Sequence, residues 1–332
     1  NTEPIADINP EDIESMSVLT GAAAAALYGS DAANGAIIIT TKKGKEGRVN
    51  ITVNSNVEFN SPLVMPRFQT RYGTGIGGVK DDNSSRSWGP KLTEARYFGY
   101  SPRDDYFQTG VIGTESVSFS TGSEKNQTYA SAAAVNSKGI VPNNAYDRLN
   151  FTIRNTATFL DDKLQLDLGA SYVKQKDKNM VSQGQYWNPV ISAYLFPRGE
   201  SFDDIKTFER YDQSRNIPIQ YWPIADATYG SQNPYWTAYR NIATNEKSRY
   251  MFNVGLTYKI TDWINLAGRY RMDDTHVQFE RKVYATSDQK FAEGRKGLYD
   301  YSNYKDRQEY ADFMLNINKQ FNDFNVSANL GY

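Results

Sequence analysis

From Val49 onward the chain alternates. Val49, Ile51, Val53, Val57 and Phe59 are apolar, and Asn50, Thr52, Asn54, Asn56 and Glu58 between them are polar. The same period of two returns at Val117 and Phe119, at Tyr129, Ser131, Ala133 and Val135, and at Leu149, Phe151, Ile153, Ala157 and Phe159. It returns again over Leu164–Tyr172, Tyr250–Ile260, Ile264–Met272, Phe313–Phe321 and Phe324–Tyr332. Successive side chains of a strand face opposite ways, so each run predicts a strand with one apolar face. About nine such strands follow from the pattern.

Charge decides what the second face is. Glu58, Arg154, Asp167, Lys174, Lys259, Arg269, Arg271 and Asp312 are assigned to it, with Asn and Thr filling much of the rest. The connections alternate in length. Ser123–Asn126, Asp161-Asp162, Thr261-Asp262 and Asn322-Asp323 read as tight turns; long connections are expected near 60–115, 137–147, 176–248 and 275–306. An outer-membrane barrel puts its short turns at the periplasmic end and its long loops at the extracellular end. The alternative is a soluble two-sheet β protein with alternating faces. The predicted strands are longer than the usual 5–6 residues of soluble sheets, which counts against that alternative. An odd strand number would leave the last strand outside. The expectation is therefore that the barrel continues past Tyr332, because an unclosed sheet in lipid leaves backbone groups unpaired.

Before the strands, residues 9–28 give the one good helical signal. Asn9-Pro10-Glu11-Asp12 looks like a helix start, Ala22–Ala26 favours helix and Gly29 could end it. Asn34-Gly35 makes a turn, and Ala36–Thr41 reads as a buried strand that stops at Lys42-Lys43-Gly44-Lys45.

Composition narrows the function classes. Lys and Arg number 37 against 38 Asp and Glu, which gives no electrostatic case for nucleic acid. Cysteine is absent and His276 is the single histidine, so neither a thiolate nucleophile nor an ordinary zinc site can be assembled. No catalytic constellation and no cofactor is expected. Aromatic residues make up 14% of the chain, yet no apolar run approaches the roughly 20 residues of a spanning helix. The first residues do not show the basic stretch followed by an apolar one that marks a secretory leader.

Residues 8–45, "INPEDIESMSVLTGAAAAALYGSDAANGAIIITTKKGK", resemble the end of the plug domain in the SusC/RagA family of TonB-dependent outer-membrane transporters. "RYGTGIGG" at 71–78, "SWGPKL" at 87–92 and "NPYW" at 233–236 also look like this family. Thr20-Gly21 and Asp31 depart from its usual Lys-Asp and Arg. The resemblance implies an all-β fold: a partial transmembrane antiparallel barrel, about nine strands of a larger, 22-stranded one, after the end of a small α/β plug. The plug part is assigned to residues 1–47 and the barrel part to 48–332. Tyr28, Gly29, Ser30, Asn34, Gly35, Lys42, Lys43 and Gly44 would form the plug-to-barrel segment. The implied function is TonB-driven import of oligosaccharide or oligopeptide. The implied partners are a SusD-like surface lipoprotein as lid, TonB through a segment outside this chain, and membrane lipid.

Three features compete for a role. Gly73–Gly78 fits G-x-G-x-x-G, but a polar stretch rather than a helix follows, so a surface loop is the better reading than a phosphate cradle. The segment 186–240 is rich in rings, and Trp187, Tyr194, Tyr221, Trp222, Tyr235 and Trp236 are candidate contacts to ligand or lid. A loop of that length also needs its own core, and this second reading of the same rings is favoured. Acid pairs such as Asp81-Asp82 lack calcium-ligand spacing. The alternative function is a soluble or surface β-rich module that binds glycans on those rings.

Overall fold

The computed structural model describes residues 7–332 except 83, 94–99, 185–186, 225–231, 293, 295 and 323, and at 27, 28, 31 and 48 the backbone alone. The first part is a small α/β unit: β1 (Ile13–Leu19), α1 (Gly21–Tyr28) and β2 (Ala36–Thr41), with β1 and β2 antiparallel. A single helix over 9–28 is therefore not what forms. Pro10–Asp12 makes one 3-10 turn, in which the Asn9 side chain accepts from the Glu11 N–H. Ile13–Leu19 then goes extended, because Val18 and Met16 can pair with Ile37 and Ile39. Tertiary pairing overrides local propensity here. The β2 strand is paired but not buried as expected: its residues are half-buried or exposed, with Ile37 55% exposed.

The remainder is dominated by one sheet, whose strands among the described residues are β3 (Gly47–Asn60), β6 (Gly110–Gly122), β7 (Asn126–Lys138), β8 (Ala145–Phe159), β9 (Leu164–Lys178), β12 (Asn241–Thr261), β13 (Ile264–Val283), β14 (Leu298–Phe321) and β15 (Phe324–Gly331). They lie in chain order across the sheet, each antiparallel to the next. Between β3 and β6 sits the hairpin β4 (Gly75–Ile76) and β5 (Val79–Lys80). Between β9 and β12 lie α2 (Pro189–Leu195), α3 (Phe202–Lys206), the hairpin β10 (Glu209–Asp212) and β11 (Ile217–Gln220), and α4 (Pro234–Arg240).

The apolar face points outward. Phe59 is 73% exposed and Ile153 52%, as suits side chains turned away from the bore. Two phase assignments are corrected. In β7 it is Tyr129 and Ser131 that turn inward, hydrogen-bonded to Asp12, while Ala130 and Ala132 share the outward side with their partners Ile153 and Phe151. Lys174 is not on the inner face: it pairs with Leu149 and follows Tyr172 on the outward side. The loops are shorter than expected because β12, β13 and β14 run for 21, 20 and 24 residues. The 137–147 connection shrinks to residues 139–144, the 275–306 connection to 284–297, and 60–115 and 176–248 lose their ends to strands. His276 accordingly lies within β13, its Nε2 2.7 Å from Asn303 Oδ1. Of the tight turns, Asp323 falls outside the described residues. Among the described residues no helix is long and apolar enough to cross a membrane, a fact that leaves strands untouched.

Candidate functional site: the plug strap and the wall

Residues 7–12 run as a strap along the inner face of the sheet. Asp7 is 1% exposed and accepts from Lys247 Nζ and from Arg249 Nη1, the latter at 2.7 Å. The Arg249 fork also grips Asp273, Nε to Oδ1 at 2.8 Å and Nη2 to Oδ2 at 2.5 Å. The backbone carbonyl of Asp7 accepts from Asn150 Nδ2 at 2.6 Å. Five residues on, Asp12 accepts from Tyr129 Oη at 2.7 Å and from Ser131 Oγ at 2.9 Å. Two buried carboxylates are thus met by cations from β12 and by hydroxyls from β7. Buried charge is tolerable only with such partners.

The segment that leaves β2 is fixed at several points. Lys42 Nζ donates to the Glu11 carbonyl at 2.6 Å, and the Lys42 N–H donates to the Asp12 carbonyl at 2.7 Å. The Lys45 N–H reaches Ser120 Oγ at 3.2 Å. Gly44 lies so close to β7 that a Cβ would stand 2.4 Å from the Thr128 nitrogen. Gly35, at φ +110°, turns the chain beside the Leu19 carbonyl, which a Cβ would meet at 2.9 Å. Gly29, at φ 77° and ψ −164°, takes a conformation open essentially to glycine alone. Ser30 opens a short 3-10 turn and Asn34 is exposed in the turn after it. The Tyr28 side chain lies outside the described residues. Lys43 borders an open cavity of about 1190 Å³ between β2 and the wall, with a mixed lining that includes Arg154, Asn253, Arg271, Tyr310, Ile39 and Met251.

At the opposite, long-loop end the connections build a core of their own. Tyr100, Tyr106, Val141, Ala193, Phe196, Phe202 and Ile205 are buried together. Tyr100 stacks on Phe202 at 4.1 Å and donates to the Ala193 carbonyl at 2.8 Å. Asn188 and Asn233, each followed by proline, cap α2 and α4. Of the six ring candidates, Trp236 is fully buried and bonds Ser287 through Nε1 at 2.8 Å. Tyr235 and Trp222 pack against the core, Tyr194 against Phe68 and Phe107, Tyr221 under Arg210, and Trp187 against Phe291 and Arg281. Among the described residues, these rings pack onto other side chains of the loops rather than onto one another. Tyr186 and Tyr229 lie outside the described residues. Burial pushes the Tyr235 phenol up to about 12, helped by Tyr239 and Asp105, and raises Tyr100 and Tyr106 well above the ordinary phenol range. Residues 73–78 open into the β4–β5 hairpin, not a helix, so the glycine spacing there is turn chemistry.

Sequence reading missed Asp7, Lys247, Arg249 and Asp273 as a set. Arg249 is two positions before Met251 on the inner phase of β12, so extending the alternation backward from Tyr250 would have found the two cations.

Residues 1–36 match the family model described as the TonB-dependent receptor plug domain. The chain is 27% identical over 230 residues to the TonB-dependent receptor SusC of Bacteroides thetaiotaomicron, covering 69% of this chain and 21% of that one. It is 27% identical over 335 residues to the TonB-dependent receptor P39 of Formosa agariphila, covering 96% of this chain and 29% of that protein. The chain thus spans less than a third of the length of these relatives. Among solved structures, the RagAB peptide importer in its open-open state aligns over 98% of this chain and 38% of its own, with a TM-score of 0.67 and 19% identity.

Proposed function

We propose, for a chain that carries the plug match and partial wall of a SusC/RagA-type TonB-dependent transporter, that the whole protein actively imports oligosaccharide or oligopeptide across the outer membrane. The observation that carries this reading is the strap. A seal across a wide bore must hold against leakage and still give way when pulled. The contacts of residues 7–12 and 42–45 with the wall are polar and ionic, so water entering the bore can replace them as the plug shifts. A plug held by a packed apolar core would have no such exchange.

Energy is assigned to TonB, acting on a part of the protein that this chain does not span. A SusD-like surface lipoprotein is assigned as the lid over the long-loop end. The residues proposed to join plug to wall are Gly29, Gly35, Lys42, Lys43 and Gly44, with the boundary near residue 47.

A reversible cross-link tests this. Asp12 Oδ2 and Ser131 Oγ are 2.9 Å apart, and the chain has no cysteine to interfere. The double variant Asp12→Cys, Ser131→Cys, made in the full-length protein, should stop uptake of labelled oligosaccharide or oligopeptide when oxidised and regain it on reduction. An uncoupler of the inner-membrane gradient should abolish uptake in the native protein. Uptake that continues with the cross-link closed, or without the gradient, defeats the proposal.

A further inference from the structure

Where the inner faces of β9, β12 and β13 meet the loop core, the structure holds a second, smaller cavity of about 180 Å³. Asp177, Met180, Trp187, Asn241, Phe279 and Arg281 are among the residues around it. It is separate from the strap and from the large space beside β2.

Asn241 is 6% exposed, and its amide is already oriented. Trp236 Nε1 donates to Ser287 Oγ at 2.8 Å, and Ser287 Oγ lies 2.9 Å from Asn241 Oδ1. An indole nitrogen can only donate, so Ser287 Oγ accepts from it, and the hydroxyl in turn donates to the amide oxygen. The amide oxygen is thus the end that faces Ser287. The other end, Nδ2, is buried with no hydrogen-bond partner. Buried donors are rarely left unmet, and each one asks for an explanation.

Arg281 supplies the second donor. Its guanidinium lies over the Trp187 ring at 4.6 Å and the Phe279 ring at 5.0 Å, and among the described residues no carboxylate forms an ion pair with it. Stacking leaves the in-plane N–H groups of a guanidinium free to bind. Asp177 Oδ2 accepts from Asn245 Nδ2 at 3.2 Å on the other side of the cavity and keeps acceptor capacity to spare.

We propose that this cavity binds the carboxylate end of the imported cargo. Arg281 and Asn241 would hold the carboxylate oxygens, while Asp177 takes an N–H or O–H of the same end residue. The volume is below the roughly 300–1,000 Å³ of a drug-sized pocket, so it fits one terminal residue and not a whole oligomer. A peptide C-terminus and a uronic acid sugar both carry this group. The inference rests on the import reading above and names the chemistry that the mouth selects.

Binding is measured on the full-length protein in detergent, apart from any uptake assay. Four probes suffice: trialanine, trialanine amide, digalacturonic acid and its methyl ester. In one pair the free acid should bind at least about tenfold tighter than its neutral counterpart, as a charge-assisted hydrogen bond requires. That pair identifies the carrier. Arg281→Gln should erase the preference, and Arg281→Lys, which keeps the charge without the planar fork, should keep part of it. Equal affinities within both pairs, no binding of any probe, or a preference that survives Arg281→Gln would each overturn the inference. Loss of the import reading shows elsewhere, as uptake indifferent to cross-link and uncoupler, so the two failures are told apart.

Discussion

Asp7 takes two cations at once, and removing it strands buried Lys247 without its carboxylate while Arg249 keeps Asp273. Breaking a buried pair from one side costs about 3–5 kcal/mol, much of it the stranded charge. Asp7→Ala in the full-length protein should therefore loosen the strap, making the plug cleavable by added protease and the outer membrane leaky to a large antibiotic. Asp7→Asn, which keeps hydrogen-bonding capacity, should leak less. A plug as resistant as the native one in both variants would show that the strap carries no load. Little of this was legible in the sequence. Lys247 and Arg249 are readable as inward-facing from the alternation of β12, but Asp7 stands 240 residues before Lys247, and no local pattern connects them. Gly44 was legible as the end of a strand; the reason it must be glycine, the Thr128 backbone, was not.

At the scale of elements, the nine strands of the sheet were legible because each holds a stretch of alternating residues with apolar side chains on one face. The phase of β7 was not, because Ala130, Ser131, Ala132, Ala133 and Ala134 offer no contrast between faces and only Asp12 decides it. The α1 helix was legible from its alanine run, whereas β1 needed its partner β2 to become a strand. The starts of α2 and α4 repeat the Asn-Pro signal of residues 9–10 and could have been read the same way. The outward face makes its own prediction. Arginine in place of Leu166 or Ile153 should block assembly, since a charge on a lipid-facing strand costs about 2–4 kcal/mol at mid-bilayer. Arginine in place of Gln165, which turns inward beside Asp167, should be mild. Heat-modifiable mobility on gels reads assembly directly, and equal outcomes would reverse the face assignment.

The loop core has a pH limit of its own. The folded Tyr235 phenol is held up to about 12, above its ordinary value near 10, mainly by burial. A raised phenol favours the folded core fully below the unfolded value. That contribution is lost as pH climbs through the window from about 10 to 12. Tyr100 and Tyr106 are raised in the same direction. Tyrosinate absorbance should thus rise late, together with loss of the loop core, and a titration that follows free tyrosine would contradict the burial.

For the whole molecule, the alternation of face and of connection length was enough to separate a membrane wall from a sandwich, since no helix and no cysteine chemistry entered the choice. What the pattern could not give was where the strands stop, because charged, outward-facing residues such as Lys174, Glu246 and Arg307 read as loop when they are paired strand. That extra length has a consequence. β14 has 24 residues, and at about 3.3 Å each with a tilt near 45° it rises roughly 56 Å. A lipid band of about 25 Å covers less than half of this. On the import reading proposed above, the wall would therefore stand some 30 Å proud of the bilayer, like a chimney above a roof. On the same reading, headgroup-borne sugars would then crowd its flanks and not its opening, and cargo would arrive from free solution without first threading that coat.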